Sequence, residues 1–290
     1  MNANAPTADA YPQSLSPSRA NDFQTCPLLY RLRSIDRLPE EPSPAALRGT
    51  LVHEALEHLF TLDPAERTLP AATVLVREAL ARLEGEEPES FAALRAELRP
   101  DLPADDVAES ILRPAGPLLE TYFALEDPAR ITPHARELAV SAELEPGFHG
   151  RGFIDRVEIA PDGRVRIVDY KTGRAPGPRF ESKAMFQMRF YALLWWRISG
   201  VVPSMLQLMY LGNGQILRLE PTEDQLLATE SAILAIRDAI RQAVREGFTP
   251  SPSRLCDWCS YRELCPAFDG TPPSMPDVSA LLEPVVSKDL

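Results

Sequence analysis

With 290 residues, 44% of them hydrophobic, the chain is long enough to bury a sizeable core, and one elaborated domain is a simpler expectation than two independent ones. No run of about 18 apolar residues occurs, and the opening Met1-Asn2-Ala3-Asn4-Ala5-Pro6 has neither the basic nor the apolar segment of a leader, so the expectation is a cytoplasmic protein with no membrane segment. The net charge of −12 fits poorly with a surface that binds polyanions throughout, and a cytosolic chain seldom spends four cysteines on disulfides.

Residues 1–14 and 270–290 read as a disordered N-terminus and a flexible tail. Ser16 is placed to cap a short helix with Pro17 at its first position, leading to Cys26. After a Pro- and Glu-rich loop, Pro39 to Pro44, an amphipathic helix is predicted from about Ala46 to Phe60, with Leu47, Leu51, Ala55, Leu56 and Leu59 inward. Residues 62–135 read as a helical insertion divided by Pro70, Pro88, Pro100 and Pro114, and the 29 prolines argue against long uninterrupted helices. The pattern then switches to strands over Glu137–Leu144, Gly152–Ile159, Val165–Tyr170 and Met205–Leu211, with Gln215–Leu219 a weaker fifth. Asp162-Gly163 suits a hairpin turn between the second and third. An apolar helix, Phe186 to Ile198, separates the third strand from the fourth, and a final helix, about Thr222 to Glu246, leads into the cysteines. The predicted organisation is a single domain over 15–269, with its core at 136–220 and a C-terminal helix and cysteine cluster at 221–269. No Walker-type phosphate loop is present.

The second and third strands bring Asp155, Asp169 and Lys171 toward a common strand end. Buried strands normally end in apolar or neutral residues, so this charge needs a reason. A hard metal ion held by the two carboxylates, with Lys171 beside it, is one; a local salt bridge between Asp169 and Lys171, two apart on one face, is the other. His53 reads either as a ligand or as a core histidine. Gln187 and Tyr191, at i and i+4 of one helix, read as positioning groups or as plain packing. A zinc-protease helix is excluded, because His53 and His58 are five apart, about 140° around a helix. Glu143 is a candidate extra carboxylate or an exposed strand charge, and Glu57, one turn from His53, a candidate partner for it. Cys256-x-x-Cys259 is compact enough to chelate, with Cys265 in reach. Cys26, 230 residues before Cys256, would close a very long loop if it shared their site.

Taken in order, Ser16-Pro17-Ser18-Arg19 to Cys26-Pro27, Gly49-x-x-x-His53, Gly152-x-Ile154-Asp155, Asp169-Tyr170-Lys171, Gln187-x-x-x-Tyr191 and Cys256-x-x-Cys259-x5-Cys265 resemble the RecB-like branch of the PD-(D/E)XK nucleases, which includes the RecB and AddB nuclease domains, from about Leu15 to Phe268. Asp169 stands where many relatives carry Glu, and the family tolerates either. The resemblance implies an α/β fold with a restriction-endonuclease-like core, a central mixed β-sheet flanked by helices, carrying a helical insertion and a four-cysteine cluster that joins the N- and C-terminal parts. It implies Mg2+ or Mn2+ held by His53, Asp155, Asp169 and the Tyr170 carbonyl, with Lys171, Gln187 and Tyr191 in the reaction. It favours a [4Fe–4S] cluster on Cys26, Cys256, Cys259 and Cys265, with zinc as the alternative.

The implied activity is that of an exonuclease rather than an endonuclease, acting on single-stranded DNA or duplex ends in repair or recombination, with any helicase a separate partner. An inactive DNA-binding scaffold subunit and a CRISPR-adaptation nuclease are the alternatives. Asp63 to Asp127 holds fifteen acidic against six basic residues, whereas Gly147 to Gly200 holds ten basic against five acidic, a distribution compatible with a focused DNA track, with a solvated face of no task the alternative for the acidic stretch. Phe23, Tyr30, Trp258 and Tyr261 are candidate stacking residues, with core packing the alternative for each.

Overall fold

The computed structural model describes residues 11–40, 43–86, 88, 104–177 and 181–278. The helices are α1 (Pro17–Thr25), α2 (Pro27–Tyr30), α3 (Pro44–Leu59), α4 (Leu69–Glu86), α5 (Ala104–Leu112), α6 (Gly116–Leu125), α7 (Glu181–Ser199) and α8 (Glu223–Glu246). The strands are β1 (Ser14–Leu15), β2 (Ala135–Glu145), β3 (Phe148–Ile159), β4 (Val165–Lys171), β5 (Met205–Tyr210) and β6 (Gln215–Leu219). Together the strands form one mixed sheet in the order β1-β3-β4-β5-β6, with β2 also paired to β3. The long β3 gives one edge to antiparallel β2 and shares the other between parallel β1, at His149 and Gly150, and antiparallel β4, from Arg156 onward. Parallel pairing of β4 with β5 requires a crossover, and α7 supplies it.

Helices cover both faces of the sheet, as the α/β expectation required. On one face α7 and α8 pack through Phe190, Leu193, Leu194, Ile233 and Ile240 onto Ile154, Val157, Ile167 and Leu206. On the other, α3, α4 and α6 pack through Leu51, Leu56, Val76, Leu119 and Tyr122 onto Val168, Tyr170, Met209 and Leu211. The period-2 alternation of a strand separates the two sets, since Ile167 and Val168 face opposite ways. Leu51, Leu56 and Leu59 are wholly buried. At about 1.5–3 kcal/mol each, their burial fixes the rotation of α3 and so the aim of His53.

Ser16 accepts a hydrogen bond from the Arg19 N–H and caps α1, with Pro17 at its start as expected. Gly163 has φ 83 in the β3–β4 turn, the conformation the Asp-Gly pair suits. Pro70 does not separate helices, because it is the second residue of α4, where a missing N–H costs nothing. Pro114 does stand between helices, in a 3-10 turn between α5 and α6, while Pro100 lies outside the described residues. Prolines also fail to keep helices short, for α7 and α8 run 19 and 24 residues through proline-free sequence. Part of what was expected as loose ends packs against the domain: the His149 N–H donates to Gln13, Tyr11 is buried, Arg31 donates to the Pro273 carbonyl and Val278 is buried. Residues 1–10 and 279–290 lie outside the described residues. No helix among the described residues is long and apolar enough to cross a membrane.

Candidate active site

The site forms where β3 and β4 separate. Ile154 and Val157 are three apart yet both pack on the α7 side, as do Ala135 and Leu138 on β2, so the alternation of both strands slips by one between them. Glu137 lies at the slip, with φ 41, an uncommon conformation for a residue with a side chain. It sits between the pairs Arg136–Arg156 and Leu138–Ile154 and therefore opposite Asp155. The β3–β4 ladder ends at Arg156–Val168, and Tyr170, two residues further along β4, donates its N–H to Asp155 Oδ2 at 2.7 Å. Asp155 is thus in the middle of a strand that starts at Phe148, rather than near a common strand end, and it reaches the fork because the ladder stops there.

His53, on α3, places Nδ1 3.3 Å from Asp155 Oδ2. One ligand atom each from His53, Glu137 and Asp155 lie within 4.8 Å of one another, the one group of this kind among the described residues. Asp169 stands beside this trio. Its Oδ1 accepts from Gln187 Nε2 at 2.9 Å, and its Oδ2 lies 2.6 Å from Lys171 Nζ without a well-directed hydrogen bond. Gln187 Nε2 also donates to the Tyr191 hydroxyl at 3.1 Å. The structure therefore brings His53, Asp155, Asp169, Lys171, Gln187 and Tyr191 into one neighbourhood and adds Glu137. Glu143 turns away and accepts from the Gly147 N–H, and the imidazole partner of His53 is Asp155, while Glu57 contributes only a repulsive charge near Glu137.

Crowding of carboxylates governs the electrostatics. Burial, then the Asp155 charge, pushes the Asp169 carboxyl up to about 6. Burial and Asp155 likewise push Glu137 up to about 7. Burial works against the charged forms of His53 and Lys171, but the neighbouring carboxylates outweigh it, and both end above their ordinary values. The fork is thus an excess of negative charge, held at close range and short of cations, which is the condition a divalent ion relieves.

Behind the fork, Arg156 is 1% exposed and forms a forked pair with Glu126 at 2.5 and 2.9 Å, while its Nε lies 2.9 Å from Glu158. It also donates to the Tyr170 hydroxyl and lies over the Phe60 ring. This buried cluster fixes the Asp155-Arg156 and Asp169-Tyr170 steps from below. Gly152 serves the same end from the other face, since a Cβ there would come within 2.6 Å of the Tyr191 ring.

The four cysteines line one recess between α2 and the C-terminal turns, with Leu28, Leu29 and Leu32. Cys26 Sγ accepts from the Ser251 N–H at 3.4 Å and Cys256 Sγ from the Ser253 N–H at 3.3 Å. Of the aromatic residues expected near them, Tyr30 and Tyr261 are buried and Phe23 packs edge-on against Tyr30, whereas Trp258 is 79% exposed.

Glu137 is what the sequence reading missed: in a strand of alternating character it looks like any outward charge. Phe153, a core residue by type, is 62% exposed.

Comparison with known proteins places the fold. The family model described as the PD-(D/E)XK nuclease superfamily matches residues 14–266. Two relatives, each named Gene 69 protein, come from Mycobacterium phages D29 and L5; they are 27% identical over 272 residues and 24% over 295, each match covering 87% of this chain and 96% of the relative. The crystal structure of a protein from Eubacterium rectale, named as a candidate exonuclease, aligns with a TM-score of 0.53 at 14% identity, covering 90% of this chain and 94% of that one, a likeness that carries the fold. The family match spans the whole sheet and every residue of the fork, and the chain belongs to the PD-(D/E)XK nuclease superfamily.

Proposed function

We propose that the chain is a divalent-metal-dependent deoxyribonuclease that removes nucleotides from DNA ends. The observation that carries this reading is the convergence of His53, Glu137 and Asp155 within 4.8 Å, beside the Asp169–Lys171 pair. The residues fit a hard or borderline divalent ion: oxygen donors predominate, one imidazole joins them, and the single close ammonium, Lys171, pairs with only one of the carboxylates, Asp169. His53, Glu137, Asp155 and Asp169 would hold the ion, with the Tyr170 carbonyl as the further donor expected from sequence. When bound, such an ion polarises a phosphoryl oxygen and lowers the pKa of water.

The chain's own groups do the rest. Lys171 keeps its proton next to Asp169, so it acts as a fixed positive charge for the phosphorane-like state and an anchor for water, not as a base. Gln187 holds Asp169 Oδ1, which leaves Oδ2 aimed at Lys171. Burial keeps the Tyr191 phenol protonated; its oxygen accepts from Gln187, and its O–H is left to donate to a phosphate oxygen.

For the cysteines we favour the [4Fe–4S] reading. A zinc ion held by four thiolates, with bonds near 2.3 Å, needs sulfurs roughly 3.8 Å apart. Among the described residues, no three of these sulfurs gather within 4.8 Å. Backbone N–H donors to Cys26 and Cys256 suit thiolate ligands of either group, and one remote cysteine with a close trio is the spacing that favours the cluster.

The test is incubation of anaerobically prepared protein with end-labelled single- and double-stranded DNA and Mn2+ or Mg2+, with Asp169→Asn as control. Mononucleotide or short products that appear with Mn2+ at least as fast as with Mg2+, and vanish in EDTA and in the variant, support the reading. Intact DNA under all conditions refutes it in favour of a non-cleaving DNA-binding subunit.

A further inference from the structure

We infer that the uncovered face of β2 and β3 beside the fork is a stacking track for an unpaired DNA strand, in which Phe153 seats a base and Arg151 meets the backbone. The inference rests on the nuclease reading and names the form of DNA that the site selects.

Large aromatic side chains in the middle of a long strand are normally buried, yet Phe153 is 62% exposed, two residues before Asp155. Two residues along a strand is about 6.6 Å between Cα atoms, so Phe153 is one short backbone step from Asp155. Among the described residues nothing closes over the ring. Its cross-strand neighbour is Ala139, and that of Arg151 is Ser141, two small residues that leave the faces of both side chains open. Helix α7 cannot cover them because it packs on the opposite face, where Gly150 and Gly152 make room for Leu194 and Tyr191.

A groove of about 1290 Å3 is bordered by Arg151 and Phe153 and also by Gln187 and Tyr191 from the α7 side, so residues from both sides of β3 border it, and Gln187 ties it to Asp169. Arg151 additionally borders an adjoining recess with Arg19 and Arg37. Arg19 is held by Ser14, Ser34, Tyr11 and Tyr30, whereas among the described residues no carboxylate pairs with Arg151 or Arg37, although the protein as a whole carries net charge −12. Cations without acidic partners next to an open ring form the combination that binds single strands: arginines follow the phosphates and the ring stacks a base irrespective of its identity. In a duplex the bases already stack on one another and offer the ring no face. Selection for unpaired DNA follows.

The experiment measures binding of a short fluorescent oligothymidylate and of a duplex by anisotropy in EDTA, so that no cleavage intervenes, using full-length wild type, Phe153→Ala, Phe153→Trp and Arg151→Gln. Phe153→Ala is expected to weaken single-strand binding by about 5- to 100-fold, with duplex affinity unchanged and Phe153→Trp restoring wild-type affinity. Arg151→Gln should lower the slope of log affinity against log salt by about 0.7. An abasic site moved along the oligonucleotide should weaken wild-type binding at one position and have no effect there in Phe153→Ala, which a merely structural role would not produce. Undetectable single-strand binding, equal losses for single strand and duplex, or an abasic scan that is flat in wild type overturns the inference. Cleavage with Mn2+ together with a flat scan leaves the nuclease reading standing without the track. The predicted binding pattern without cleavage does the reverse.

Discussion

Replacing Glu137 by Gln separates the electrostatic role of this residue from its shape. In the metal-free protein its carboxyl is pushed from the ordinary 4.5 to about 7, chiefly by burial and then by Asp155. The folded state thus holds this proton more tightly than the unfolded chain. The associated stability is fully present below pH 4.5 and is lost as pH rises through 7. For a fully buried group such a shift would cost about 3 kcal/mol at pH 8. Glu137 is only half-buried, and solvent screening reduces the cost to about 1.5 kcal/mol. The neutral amide of Glu137→Gln removes that cost. In EDTA at pH 8 the variant should therefore melt about 3–6 °C higher than wild type, and at pH 4 the two should coincide. With Mn2+ the order reverses. Wild type gains about 2.7 kcal/mol at a hundredfold excess of ion over Kd, whereas the variant, one anionic donor short, gains less. Differential scanning fluorimetry at two pH values, with and without Mn2+, reads all four states. A variant that melts lower than wild type in EDTA at pH 8, or that keeps the full Mn2+ shift, refutes the assignment of Glu137 to the ion site.

Lys171→Ala should lower kcat by about 10^2- to 10^4-fold in a gel assay with end-labelled DNA while single-strand affinity stays within about twofold, because the lost cation acts on developing charge. Gly152→Ala drives a methyl group into the Tyr191 ring, 2.6 Å away, and should cost about 1–3 kcal/mol in urea unfolding, whereas the exposed Phe153→Ala change should leave the unfolding midpoint unchanged. Cys26→Ser should bleach the broad visible absorbance of anaerobically purified protein and lower its melting temperature by several degrees, since the N- and C-terminal parts lose their shared ligand. Colourless wild-type protein with stoichiometric zinc would contradict the iron–sulfur reading.

Much of this fold can be read from sequence because its elements carry their own signals. Ser16-Pro17 marks the start of α1, the β-branched runs mark β3 and β4, and Thr222 with Gln225 forms the capping box that opens α8. The two-residue β1 is too short to have a period, and it exists only because half an edge of β3 is free to accept it. In the site, His53, Asp155, Asp169 and Lys171 stand out because charge within a buried strand, at a strand end and on an amphipathic helix is conspicuous. Glu137 does not, because its direction depends on a slip in alternation shared by two strands, which is a property of their pairing. Arg156 is similar: in a strand it reads as an outward charge, and only the approach of Glu126 from α6's far end and Glu158 from its own strand makes its burial affordable.

The central claim is that His53, Glu137 and Asp155 share one divalent ion beside Asp169 and Lys171. Anomalous scattering from crystals soaked in Mn2+ tests it most directly. The account predicts a single strong peak within about 2.4 Å of all three side chains and next to Asp169. A peak coordinated elsewhere, or none at the fork at saturating Mn2+, would contradict it.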